Sequence, residues 1–257
     1  MLQSAKDNIK NKFLSEGYCI FNVEDNELIK KINYDVENLL NDKKFKTNTK
    51  IYSYNESPRI VESYKYSLNC KALAKHPKIK AIIDYIFDDD AMPFSTINFL
   101  RSTQQPLHSD YMHFGTIPKL KLVGAWVALE DINPNSGPLQ IVPGSHKWEI
   151  YNFLKNDKKP PSSLEEVKKN YTEYEEWVVR EMNSKKINGT TPEMKKGDCI
   201  LWDANLLHGS PECEDPTLSR KSQVTHWTFN SVDKHYNPSF SNIDKNIYQY
   251  RNLEYII

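Results

Sequence analysis

The sequence predicts a mainly β fold, a closed or sandwiched β core with flanking helices, on three observations. Apolar residues recur at three- and four-residue spacing in the first ninety or so positions, the period changes towards two from Phe94, and a polar Lys- and Glu-rich stretch interrupts the second half. Alternation is clearest in one long strand. Leu120, Leu122, Gly124, Trp126 and Ala128 share one face, and Lys121, Val123, Ala125, Val127 and Leu129 share the other. Beyond Leu122 both faces are largely apolar, as expected of a strand covered on both sides.

Taken in order, Tyr18–Phe21 reads as a strand, and Asp25 as the cap of a helix carrying Leu28, Ile32, Val36 and Leu39 on one stripe. A helical pair flanks His76-Pro77, with the proline starting a helix that ends near Phe87. His76 is then a capping or surface residue, and Asp88-Asp89-Asp90 a solvated turn that lacks a full calcium-loop pattern. Residues 1–92 thus form a mainly helical N-terminal part, and residues 93–146 and 194–230 the β core. Asn133–Pro138 supplies a turn, and Pro143-Gly144-Ser145-His146 ends the next strand. His146 is a ligand by type but reads as the cap of a helical insert at 147–193. Within that insert Lys158-Lys159-Pro160-Pro161 is a break, and Ser163 to Met182 spaces Leu164, Val167, Tyr171, Tyr174 and Val178 as an amphipathic helix. Such a helix either covers the outside of the core or forms a lid that selects substrate. The tail, 231–257, carries Tyr236, Tyr248, Tyr250 and Tyr255 for docking or an oligomer contact, and the oligomeric state stays open.

No Pro/Gly/Ser-rich linker divides the 257 residues, so the expectation is a single domain over 1–257. Lys plus Arg and Asp plus Glu both number 34, which gives no net charge and no general basic surface for nucleic acid. No apolar run approaches the roughly 20 residues that span a bilayer, and Met1–Lys6 lacks a secretory apolar region, so a cytoplasmic protein is expected. Cys19, Cys70, Cys199 and Cys213 lack Cys-x-x-Cys spacing and read as reduced thiols. Asn188-Gly189-Thr190 fits a glycosylation sequon by chance.

The chemistry concentrates in two segments. In His108-Ser109-Asp110 the outer residues of an extended triplet point to one side, so an imidazole and a carboxylate can converge. His208 follows the strand-like Asp198–Trp202 and can reach the same cavity from a neighbouring strand. Two histidines and one carboxylate on one face, with open positions opposite, are the donor set of non-haem ferrous iron. Arg220, at the mouth of a strand, offers a guanidinium that can hold a carboxylate bidentately. A lone His-x-Asp is weak evidence; the combination is not.

These residues, with Phe94–Phe99, Gln105–Asp110, Gly124–Asp131, Asn135–Leu139, Val142–His146 and Gly197 through Arg220, resemble the phytanoyl-CoA dioxygenase (PhyH-like) family of Fe(II)/2-oxoglutarate-dependent oxygenases. The resemblance implies a double-stranded β-helix (jelly-roll, cupin-like) core. It implies His108, Asp110 and His208 as iron ligands, Arg220 with Ser210 on the distal carboxylate of 2-oxoglutarate, Trp126 lining that pocket, and Asn98 at the cosubstrate's other end. Tyr111 and His113 are expected on the substrate side. The cofactors so implied are Fe(II), the cosubstrate 2-oxoglutarate, and O2, and the reaction is hydroxylation of an unidentified small molecule with release of succinate and CO2. Asp110 favours hydroxylation over halogenation, since related halogenases leave that ligand position to chloride; desaturation and ring closure stay open. No segment resembles a site for coenzyme A. The alternative is a non-catalytic cupin-like sensor or scaffold that binds metal or carboxylate, while a metal-dependent hydrolase would need a general-base motif that is missing.

Overall fold

The computed structural model describes residues 3–42, 51–54 and 57–257. The chain starts with α1 (Gln3–Glu16), turns at Gly17 and enters β1 (Tyr18–Asn22). Gly17 has φ +84°, and a Cβ there would lie 2.4 Å from His146 Nδ1, so only glycine makes this turn. α2 (Asn26–Asn41) begins where the Asp25 carboxylate accepts from Leu28 N at 3.0 Å and buries Ile29, Ile32 and Val36. Ser67 caps α3 (Leu68–Ala74), and Pro77 opens α4 (Pro77–Phe87), the helical pair expected around His76-Pro77.

The region also holds a hairpin that was not foreseen: β2 (Ile51–Tyr54) and β3 (Ser57–Val61) pair with each other and extend the main sheet. β2 is the edge strand, and Pro58 near the start of β3 pairs only with β2, ahead of the Arg59–Val61 stretch that pairs with β4, which is where a proline is tolerated. Residues 43–50 lie outside the described residues.

The main sheet is antiparallel, in the order β1-β8-β6-β10-β4-β3-β2, with β4 (Ala91–Phe99), β6 (Val123–Ala128), β8 (Asp198–Asp203) and β10 (Ser222–Phe229) at its centre. Every residue of β6 is buried, because both faces are covered. Val123, Ala125 and Val127 join Ile29, Ile32, Ile79, Ile83, Leu201 and Trp227 beneath the helices, whereas Trp126 and Ala128 face the other way with Ile200 and Val224. The strand is shorter than its alternation suggested, since Leu120 takes φ +63° and stays outside it.

Opposite this sheet lies a second, fragmented layer. It consists of β5 (Gly115–Ile117), β11 (Lys234–Tyr236) and β12 (Tyr250–Arg251) in one piece, and β7 (Gln140–Ile141) with β9 (His208–Gly209) in another. The two layers make the jelly-roll core, and the short strands of the second leave room for a cavity. The tail docks on the core: the Tyr236 side chain is fully buried and its strand pairs with β5. The insert contributes α5 (Leu164–Lys185), started by Ser163 accepting from Glu166 N at 3.2 Å. Its buried Tyr174 hydroxyl accepts from Ser109 N at 2.9 Å, so the helix packs directly behind the His-x-Asp segment. All four cysteines are free thiols. Among the described residues no helix is long and apolar enough to cross a membrane.

Candidate active site

His108 and His208 meet across an isolated antiparallel bridge, each N–H donating to the other's carbonyl at 2.9 Å. Ser109 is extended, at φ −108° and ψ 145°, which returns Asp110 to the side of His108. The expected regular strand is absent, for Asp110 opens a 3-10 turn over Asp110–Met112; a single extended residue suffices to align the pair. One ligand atom from each of His108, Asp110 and His208 lies within 4.8 Å of the others.

The hydrogen bonds around the cluster fix which atoms face inward. His108 Nδ1 lies 2.8 Å from Pro106 O and His208 Nδ1 lies 3.0 Å from Leu206 O. A carbonyl only accepts, so both protons sit on Nδ1 and both Nε2 atoms carry the lone pair a metal needs; that of His108 accepts from Gln105 Nε2 at 3.2 Å, a contact a metal would displace. Asp110 Oδ1 lies 3.6 Å from His208 Nε2, while Oδ2 accepts from Trp202 Nε1 at 2.6 Å and lies 3.3 Å from His226 Nε2. Burial pushes the His108 imidazole down to about 3, with His208 adding to the effect, and burial also lowers His208. For Asp110 burial acts upward, but its electrostatic interactions with the neighbouring His226 and His208 and the hydrogen bond from His226 outweigh it and hold the carboxyl well below its usual range. Neutral imidazoles beside an ionised carboxylate are the protonation states that metal binding requires. Two imidazole nitrogens and one carboxylate oxygen fit ferrous iron.

The cluster opens on a cavity of about 620 Å³. Arg220 lies at the other end of the wall formed by β10, which runs from Ser222 past Val224 to His226 beside Asp110. Its side chain is held over the rings of Phe99 and Trp126, at 5.7 and 6.0 Å, and Nη1 donates to Ser210 Oγ at 2.9 Å. Only 2% of the residue is exposed, and burial lowers the guanidinium to about 10, which still leaves it charged at neutral pH. Arg220 Nε and Trp126 Nε1 are both buried without an acceptor. Two orphaned donors beside a buried cation fit a carboxylate ligand, which would satisfy both.

The structure gathers most of the sequence-derived site residues around this cavity. His108, Asp110, His208, Ser210, Trp126, Arg220 and His113 all line it. Asn98 does not, which corrects its assignment to the cosubstrate. Its neighbours Ile97 and Phe99 take the cavity face of β4, so Asn98 points to the helical face. There its cross-strand partner Gln223 donates to Cys70 O of α3 at 3.0 Å. Tyr111 is corrected as well: it is fully buried, bonded through its hydroxyl to that of Tyr236, in a cluster behind the wall. His113 reaches the cavity and stacks on Tyr171 of α5, with ring centroids 5.8 Å apart and planes at 22°. His146 Nε2 lies 3.3 Å from Leu14 O, and His76 Nε2 lies 3.9 Å from Asp25, so neither joins the cluster.

Trp202, His226, Arg59 and Arg251 also line the cavity and were not read as site residues. The β10 alternation of Val224 and His226 carried a usable signal for His226. Arg59 sits in the unforeseen hairpin, and Arg251 in a tail without a motif.

The phytanoyl-CoA dioxygenase (PhyH) family model matches residues 13–216, a span that holds the cluster and ends before Arg220. The peroxisomal phytanoyl-CoA dioxygenase of Homo sapiens is 30% identical over 153 residues, 57% of this chain and 40% of that protein. The ectoine dioxygenase of Sphingopyxis alaskensis is 26% identical over 164 residues, 61% of this chain and 53% of that protein. The chain therefore spans about half the length or less of these relatives. Among solved structures, the epimerase SnoN in complex with Fe3+, alpha ketoglutarate and nogalamycin RO superposes with a TM-score of 0.69 at 16% identity, covering 99% of both chains. EctD from S. alaskensis with 2-oxoglutarate and 5-hydroxyectoine gives a TM-score of 0.66 at 18% identity, over 99% of this chain and 85% of that one.

Proposed function

The chain belongs to the phytanoyl-CoA dioxygenase family, and from that premise we propose that it is an Fe(II)- and 2-oxoglutarate-dependent dioxygenase that hydroxylates a small molecule and releases succinate and CO2. One observation carries the reading. A single cavity joins the His108, Asp110 and His208 cluster to the buried, incompletely paired guanidinium of Arg220.

Ferrous iron held by those three side chains would supply the dioxygen chemistry, with 2-oxoglutarate as the source of two electrons. The remaining work falls to the chain itself. Arg220 and Ser210 would hold the distal carboxylate of the cosubstrate, Trp126 would donate its indole N–H, and Phe99 and Val224 would shield the stem from water. Arg220 fixes position and moves no proton. His113 and Phe114, with Arg251 donating to His113 O at 3.2 Å, wall the part of the cavity left for substrate. A carboxylate at position 110 favours hydroxylation, because the third ligand place is taken. SnoN and EctD are solved with small molecules bound, which supports a substrate of that size class.

The test is succinate formation from 2-oxoglutarate by the iron-loaded chain, with and without oxygen. Oxygen-dependent release, even slow and uncoupled from substrate, is expected. Failure of the iron-loaded chain to bind 2-oxoglutarate at millimolar concentration in a calorimeter would overturn the reading.

A further inference from the structure

Trp202 ends the strand-like Asp198–Trp202 stretch and has no site role in the reading above, yet it touches two of the three cluster residues. Its indole N–H donates to Asp110 Oδ2 at 2.6 Å, and its ring lies 4.3 Å from the imidazole of His208 with planes 30° apart. His226 Nε2 approaches the same Oδ2 at 3.3 Å. We infer that Trp202 is a positioning residue of the metal centre, which with His226 occupies the outer oxygen of Asp110 so that the carboxylate presents only Oδ1 to the metal. The inference rests on the iron-centre reading above.

The physical argument is one of valence. A carboxylate can give a metal one oxygen or two, and the second would take a position that a site with three protein donors must keep open. Blocking Oδ2 therefore protects the open face. An indole suits this task because it is donor-only and has no lone pair to offer a metal, so it cannot turn and become a ligand itself. The hydrogen bond to a charged acceptor is short and buried, with 2% of Trp202 exposed, which makes it strong and directional.

The backbone is arranged to admit the ring. Trp202 on β8 stands opposite Gly124 on β6, and a Cβ at position 124 would lie 2.3 Å from Trp202 Nε1 and Cε2. Glycine in mid-strand costs roughly 0.5–1 kcal/mol relative to alanine. Here it lets the indole cross β6 and reach Asp110.

The test compares the full chain with Trp202→Phe, which keeps a ring against His208 and deletes the N–H. Affinity for Co(II), measured anaerobically by competition with a chelating dye, is expected to fall by about tenfold or more, the range seen when a partner of a metal ligand is lost. Thermal melting of the metal-free variant confirms folding. A folded variant whose Co(II) affinity stays within twofold of the parent overturns the inference. A second measurement needs no variant. In the unsubstituted chain the Trp202 indole proton is expected to resonate downfield, to exchange slowly, and to keep both properties when Zn(II) is added. Fast exchange, or release of that proton when Zn(II) binds, would show Oδ2 free or turned to the metal and sink the idea. A parent chain that binds neither Co(II) nor Zn(II) refutes the iron reading instead, and the indole signal of the metal-free chain still decides whether Trp202 holds Asp110.

Discussion

Arg220, just before β10, and Asn98, on the neighbouring β4, show how differently two buried polar residues behave. The guanidinium has one fixed bond, to Ser210, and an orphaned Nε at the cavity wall. Replacing it with glutamine removes a charge-assisted pairing worth about 1.5–3 kcal/mol. Arg220→Gln is therefore expected to weaken 2-oxoglutarate binding roughly 10- to 100-fold, measured by calorimetry on the iron-loaded chain, with affinity for Co(II) unchanged. An equal loss of both affinities would mean that the substitution disturbs the whole site. Asn98 presents the opposite case. Both polar atoms of its side chain are buried without partners on the helical face, and an unsatisfied buried amide costs about 1–3 kcal/mol. Asn98→Leu, of similar volume, is expected to leave cosubstrate affinity untouched and to raise stability by about 1 kcal/mol in urea denaturation. Destabilisation would reveal a water bonded to the amide.

At the scale of elements, the helices and central strands were legible because their signals are local. The Asp25 cap, the stripe through Ile32 and Val36, and the proline at the start of α4 each fold as read. The β2–β3 hairpin was not legible: its strands are only four and five residues long, and β3 carries a proline, so they show no strong period. At the site, the His108, Asp110 and His208 cluster and Arg220 stood out because separate segments supply complementary chemistry. Asn98 and Tyr111 were misplaced because nearness in sequence to a motif does not say which face a side chain takes; the alternation of Ile97 and Phe99 was the better guide. The insert was left open between a cover and a lid, and α5 now gives that question a sharper form. Tyr174 accepts from Ser109 N, between two metal-cluster residues, while Tyr171 backs His113. Tyr174→Phe leaves the Ser109 N–H buried and unpaired, a loss of about 1–3 kcal/mol. The expected result is a lower urea midpoint together with weaker Co(II) binding. A lower midpoint with unchanged metal affinity would assign α5 a purely structural role.

For the whole molecule the histidines set the response to acid. His76, His108, His113, His146, His208 and His235 are all lowered by burial, His108 to about 3. Unfolded histidines titrate near 6.5. As pH falls through that value the unfolded chain takes up protons that the folded chain resists, so stability is full above about 6.5 and drains away towards the folded values. Asp110, held low when folded, loses its contribution in the same direction as acid protonates it. Asp203 opposes them: burial raises its carboxyl from 3.8 to about 6, so its folded form binds a proton first and gains relative stability on acidification. Glu175, also raised by burial, acts in the same direction, but Asp203 moves less than His108 alone and the two carboxyls are outnumbered. The net expectation for the metal-free chain is a urea midpoint that falls continuously from pH 7 to pH 4.5. A metal bound to the neutral imidazoles competes with those protons, so saturating Co(II) should raise the midpoint at pH 7 and lose that benefit as the pH drops. A midpoint flat between pH 7 and 4.5 in the metal-free chain would mean that the folded chain takes up protons over that range as readily as the unfolded one, against the expected resistance of the buried imidazoles.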